Sequence, residues 1–150
     1  MDIIAQMGIA ATMGFAAIGS AIGAGAAGMA AIGAWKKCFA NNKPAPFLLV
    51  AFVGAPLTQT IYSMILMGTI MEGFKKAAET GVSPVMLLGV GIFGGLGMGF
   101  SAMFQGKAGA SASDALAETG KGFGNYIMVL GLIETVALFV MVFLMNAVKA

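Results

Sequence analysis

The stretch VLGLIETVALFVMVF, residues 129–143, is apolar on both sides of one carboxylate, Glu134. A charge at the centre of a bilayer costs about 2.5–3.5 kcal/mol on insertion scales, so such an acid is protonated or holds a cation. Other polar side chains in the apolar stretches are few. Thr58, Gln59, Thr60, Tyr62 and Ser63 come just after Pro56, and Ser101 and Gln105 sit in a later stretch. Asn125 and Tyr126 precede Glu134, and Thr135 follows it. Hard cations take oxygen ligands. Glu134, the Thr58 hydroxyl and the amide oxygens of Gln59 and Gln105 supply four. Pro56 has no N–H, so the Phe52 carbonyl loses its donor, and a backbone carbonyl near the proline supplies a fifth. That set suits Na+ better than a proton, for which one carboxyl group is enough; H+ stays open as the alternative. The Tyr62 hydroxyl is placed to hydrogen-bond the carboxylate and hold it.

These residues fall at one depth if the chain runs as antiparallel helical hairpins. Thr58 and Gln105 are centred on Gly81 and Val82, and Gln105 and Glu134 on Thr119 and Gly120. Both centres fall at a Glu-Thr-Gly tripeptide, residues 79–81 and 118–120. Glycine is the expected residue where a helix ends and the chain reverses. Equal depth requires the third helix to continue through KAGASASDALA, residues 107–117. Thr58, Gln59 and Tyr62, at i, i+1 and i+4, then share one helical sector. Thr60, Ser63, Ser101 and Thr135 read as hydroxyls that join helices. No lysine is expected near Glu134 in depth.

The elements that carry these residues follow from composition. Of 150 residues, 59% are apolar and 9% charged, against roughly 25% charged in soluble domains. Most of the surface must therefore face lipid or sister subunits. A net charge of +2 gives no basic surface for nucleic acid. The chain has no His, and all eight basic residues are lysines, so His chemistry and an arginine clamp in cis are excluded. The single cysteine, Cys38, sits in the polar connection KKCFANNKPAP and forms no internal disulfide.

A membrane helix needs about 20 mainly apolar residues. Charges divide the chain into four such spans: 3–35, 47–71, 85–105 and 123–148. The expected fold is all-α and integral to a membrane, one domain over residues 1–150. Its four helices form two duplicated hairpins, residues 3–71 and 85–148. The first span follows Met1-Asp2 without a basic leader and reads as a retained helix rather than a signal peptide. Connections one and three hold five lysines, against three in connection two and the C-terminus. They are therefore expected in the cytoplasm, with both termini outside.

The spans differ in kind. The first carries Gly19-x-x-x-Gly23 and Ala24-x-x-x-Gly28, and the third carries Gly91, Gly95 and Gly99. Small residues on one stripe allow close helix packing in lipid. The second and fourth are bulkier and suit the periphery. GAGAAG, residues 23–28, matches a dinucleotide-binding pattern but lies within an apolar helix, where it means close packing. MGFAAI, residues 13–18, recurs as MGFSAM, residues 98–103, aligning Ser20 with Gln105. A weaker match aligns Leu57 with Glu134, so the chain reads as a duplication with the acid in one half only.

PLTQTIY, FQGKA and LIET on a duplicated four-helix chain resemble the membrane-rotor proteolipid, the c or K subunit, of V-type and archaeal-type rotary ATPases, in its sodium-translocating branch. The resemblance covers nearly the whole chain. It implies Glu134 as the ion-binding carboxylate, with Thr58, Gln59 and Gln105 as side-chain sodium ligands. Ala55 would give a backbone carbonyl, and Tyr62 would lock the occupied carboxylate. It further implies a homo-oligomeric ring in a prokaryotic plasma membrane, surrounded by lipid, with spans one and three inside. A stator subunit would supply an arginine, and central-stalk subunits would couple rotation to ATP hydrolysis or synthesis elsewhere. The chain carries no phosphate-binding loop and is expected to be non-catalytic.

Two readings compete from other classes. A small secondary transporter would need an open cavity and more polar pathway residues. A purely structural oligomer would make Glu134 dispensable. Neither accounts for four oxygen-bearing side chains meeting at one depth.

Overall fold

Four helices long and apolar enough to cross a membrane make up the computed structural model, which describes residues 3–149. Met1 and Asp2, part of the reading of the N-terminus, lie outside the described residues. Helix α1 spans Ile3–Ala40. The second span, Leu49–Lys75, is made of α2 (Leu49–Gly54), a 3-10 turn (Ala55–Leu57) and α3 (Thr58–Lys75). A single turn, α4 (Ala77–Thr80), precedes α5 (Pro84–Thr119), and α6 (Phe123–Lys149) completes the bundle. Among the described residues there is no strand. The chain is an integral, multi-pass, all-α membrane protein.

The expected reversals occur where the glycines stand. Gly81 and Gly120 take left-handed backbone, φ 73° and 66°, and their N–H groups donate to Ala77 and Leu116 carbonyls at 2.9 and 2.8 Å. That geometry ends a helix at little steric cost only for glycine. Ser83 then caps α5, its hydroxyl accepting from the Met86 N–H at 3.1 Å, and Pro84 fills the first helical position. α5 does continue through residues 107–117, as equal depth requires.

At 38 and 36 residues, α1 and α5 are each about 55 Å long and overrun a hydrocarbon core of about 30 Å. Their overhangs pack on each other beyond the second-span connection. Lys37 and Glu118 form an exposed ion pair at 3.8 Å. Cys38 is 2% exposed, with its Sγ 3.8 Å from the Ala117 carbonyl. This corrects its placement in a polar connection: the residue closes the buried stripe of α1. A free, buried thiol is what remains.

The α1–α5 seam is made of absent side chains. A Cβ built on Gly8 would stand 2.6 Å from the Leu87 carbonyl oxygen, and one on Gly95 2.7 Å from that of Ala11. On Gly19, Gly23, Gly91 and Gly106 it would fall inside the facing backbone. Such proximity maximises dispersion between helices where lipid offers no hydrophobic drive. Gly8 meets Gly91 and Gly23 meets Gly106, so the two helices run parallel in nearly the register of the duplication. Ala24-x-x-x-Gly28 is not on this seam. The stripe passes through Gly19, Gly23 and Ala27, and a Cβ on Gly28 would meet only Val53, at 3.6 Å.

The bulky spans flank this pair. Over its most apolar window α6 is only 11% buried, against 50% for α5. Leu132, Val136, Phe139 and Phe143 leave α6 exposed, facing lipid or a neighbour. Two apolar clusters hold the bundle together. One centres on Leu66, Ile70, Leu87 and Met98, the other on Leu49, Phe52, Leu116 and Leu130. The polar layer lies between them.

Candidate ion-binding site

The second span changes character at Pro56. Its ring removes one helical N–H, and the chain tightens into a 3-10 turn over Ala55–Leu57 before α3 begins. The Ala55 carbonyl therefore points to where α3 starts. It accepts from the Thr58 hydroxyl at 2.9 Å, and the same hydroxyl lies 3.2 Å from Gln59 Oε1.

From there the network crosses the bundle. Gln59 and Gln105 are fully buried. Gln59 Nε2 donates to Gln105 Oε1 at 2.9 Å and to Ser101 Oγ at 3.4 Å. Gln105 Nε2 donates to the Leu130 carbonyl at 3.0 Å and to Glu134 Oε2 at 3.2 Å. The other carboxylate oxygen accepts from the Tyr62 hydroxyl at 2.5 Å. Ser101 Oγ donates to the Ile133 carbonyl at 2.9 Å, fixing α6 one residue before the acid. Ala55, Thr58, Gln59, Tyr62, Gln105 and Glu134 are thus joined in one network across three spans. Burying two unpaired amides would cost several kcal/mol. Among the described residues no buried side-chain polar atom lacks a partner.

Glu134 is half-buried on the outer flank of the bundle. Among the described residues it has no ion-pair partner. Lys107 is nearer in depth than the sequence suggested. It follows Gln105 by two residues, only about 3 Å along the helix axis. Two residues also turn the side chain to the far side of α5, where Lys107 is exposed and its Nζ stands 5.0 Å from the Phe104 ring centre. The carboxylate is therefore left to neutral donors.

The hydroxyls expected to join helices divide. Thr60 donates to Ser20 Oγ at 2.9 Å, and Ser63 lies 3.5 Å from Met13 Sδ, both linking the second span to α1. Ser101 joins α5 to α6. Thr135 does not bridge: it returns to the Leu132 carbonyl of its own helix at 2.7 Å. Sequence reasoning did not place Ser101 in the oxygen cluster, although it stands one turn before Gln105 on the same face. It also had no means of finding the Leu130 and Ile133 carbonyls, since a backbone acceptor leaves no mark in residue type.

Chemically the cluster offers one carboxylate and several neutral oxygens. It has no nucleophile–base pair. Among the described residues no three His, Cys, Asp or Glu side chains converge. A single monovalent cation or a proton is the occupant whose charge it can balance.

The family of ATP synthase C subunits matches residues 88–145, the stretch that holds Ser101, Gln105 and Glu134. A-type ATP synthase subunit K of Methanocaldococcus jannaschii is 31% identical over 138 residues, which is 91% of this chain. The chain spans 58% of the length of that relative. With four membrane helices in two hairpins and one carboxylate among neutral oxygens, the chain is similar to the c/K proteolipids of rotary ATPases.

Proposed function

We propose that this chain is the ion-carrying rotor-ring subunit of an A/V-type rotary ATPase and carries one Na+ per copy. The observation that supports it best is the carboxylate of Glu134. It is held in a membrane helix by Tyr62 and Gln105 and joined to the oxygens of Thr58, Gln59 and Ala55. Copies assemble into a ring with α1 and α5 towards its centre and the second and fourth spans outside. A bound cation neutralises Glu134, so the loaded site crosses lipid at low cost. An emptied, charged site is retained beside a stator subunit, whose arginine displaces the ion. Aqueous half-channels in the stator let ions enter and leave. Central-stalk subunits couple rotation to ATP hydrolysis or synthesis in a soluble sector.

The lysine distribution supports cytoplasmic first and third connections and outward termini in a prokaryotic plasma membrane. The overhangs of α1 and α5 then stand on the cytoplasmic side, where the stalk docks.

Labelling of Glu134 by a carboxyl-reactive carbodiimide tests the ion. The reagent attacks the protonated acid. Protection by Na+ at fixed pH, weakened in Gln59→Ala and Gln105→Ala, is the expected outcome. Protection by raised pH alone would make the cargo H+ and remove the ligand roles of Gln59 and Gln105.

A further inference from the structure

The geometry points to Ser101 as the residue that orients the Gln59 amide, and so makes Gln59 an oxygen ligand rather than an N–H donor towards the cation. The inference rests on the Na+ reading above. Its starting point is the direction of each hydrogen bond. The Ile133 carbonyl can only accept, so the Ser101 hydroxyl, 2.9 Å away, spends its one proton there. Ser101 then faces Gln59 with a lone pair. A glutamine amide has one end that donates and one that accepts. With Nε2 3.4 Å from Ser101 Oγ, Gln59 turns Oε1 the other way, to within 3.2 Å of the Thr58 hydroxyl. Flipping the amide would set two acceptors against each other in a buried place, since Gln59 is fully buried and Ser101 is 5% exposed.

Gln105 imposes the same orientation, because its own Nε2 is fixed on the Leu130 carbonyl and its Oε1 accepts from Gln59 Nε2 at 2.9 Å. But Gln105 Oε1 is itself in the oxygen set proposed for the cation. Once an ion draws on that oxygen, Ser101 is the remaining acceptor for Gln59 Nε2. Ser101 touches no ion: it is a positioning residue, acting through Gln59.

The experiment measures the Na+ concentration that half-protects Glu134 from carbodiimide in the purified oligomer. Wild type, Ser101→Ala, Gln59→Ala and the double variant are compared at one pH. Ser101→Ala is expected to raise that concentration roughly tenfold, the ratio that one hydrogen bond of ordinary strength is worth. In the Gln59→Ala background the same change should add nothing, because its target is gone. Ser101→Thr keeps the hydroxyl and should retain the wild-type value. The inference is overturned if Ser101→Ala matches wild type, or if its loss multiplies with that of Gln59→Ala, which would place its effect in α6 or in packing. It is equally overturned if Ser101→Thr loses protection. Should Ser101→Ala not assemble, Ser101→Thr decides. Failure of Na+ to protect even the wild type would instead remove the sodium reading, a separate result.

Discussion

Tyr62 and Glu134 face each other across the second and fourth spans, the phenol donating to the carboxylate at 2.5 Å. They are 72 residues apart in sequence and come from opposite halves of the duplication. The site is therefore shared between the two hairpins, with the acid in one and the hydroxyl that latches it in the other.

Removing the latch should loosen the occupied state without removing a ligand. Tyr62→Phe keeps the ring and deletes the donor. A hydrogen bond to a charged group is worth about 1.5–3 kcal/mol. Half-protection of Glu134 by Na+ should shift at least about tenfold to higher concentration. Exchange of bound 22Na+ from the purified oligomer should quicken by a comparable factor. An unchanged exchange rate would show that Tyr62 does not hold the closed form.

Glu134→Gln has nearly the same shape but no charge to balance. Ion transport by the assembled complex should be lost, as should carbodiimide labelling at this position. The oligomer itself should persist, since the amide oxygen that replaces the carboxylate can still accept from Tyr62. Transport that survives the substitution would make the carboxylate structural.

Much of this was legible because each feature left a mark in residue type. Gly81 and Gly120 announce helix ends, Pro56 announces a break, and an acid among aliphatics announces a site. The spans, the hairpins and the meeting of Thr58, Gln59, Gln105 and Glu134 follow from those marks. What was not legible lacks such a mark. The end of α1 passes through two lysines and a cysteine without a break, because a helix that overruns the bilayer needs polar residues and loses nothing by them. Lys107 stands only about 3 Å beyond Gln105 along the axis, because a helix continues past its last apolar residue. Ser101 reads as any helix-joining hydroxyl, since residue type does not say in which direction its hydrogen bond runs.

The thiol of Cys38 should be inert in the folded protein. It is 2% exposed and packed between α1 and α5. A membrane-permeant maleimide should leave it unmodified under conditions that fully modify Asn41→Cys in a Cys38→Ser background, because Asn41 is exposed one turn away. Equal rates would show that the α1–α5 overhang opens in solution. Unfolding in denaturing detergent should expose Cys38, which serves as the positive control.

The glycine seam makes the most direct claim about packing, because chemically identical substitutions should have opposite signs. On helical propensity alone, Gly→Ala inside a helix stabilises by about 0.5–1 kcal/mol. Gly14 has open space around its missing side chain, so Gly14→Ala should be neutral or slightly stabilising. At Gly19 the added Cβ would fall inside the Gly99 backbone, and neither helix has a flexible side chain there to yield. Gly19→Ala must push α1 and α5 apart, and overpacking of that kind costs about 1–3 kcal/mol. Thermal denaturation of the purified oligomer should place Gly14→Ala at or above wild type and Gly19→Ala well below it. The site should register the shift too. α5 carries Ser101 and Gln105 within two turns of Gly99, so displacing it stretches the bonds to Ile133, Leu130 and Glu134. Na+ protection of Glu134 should weaken in Gly19→Ala and stay unchanged in Gly14→Ala. Matching behaviour of the two variants would mean that the helices do not touch where these residues stand.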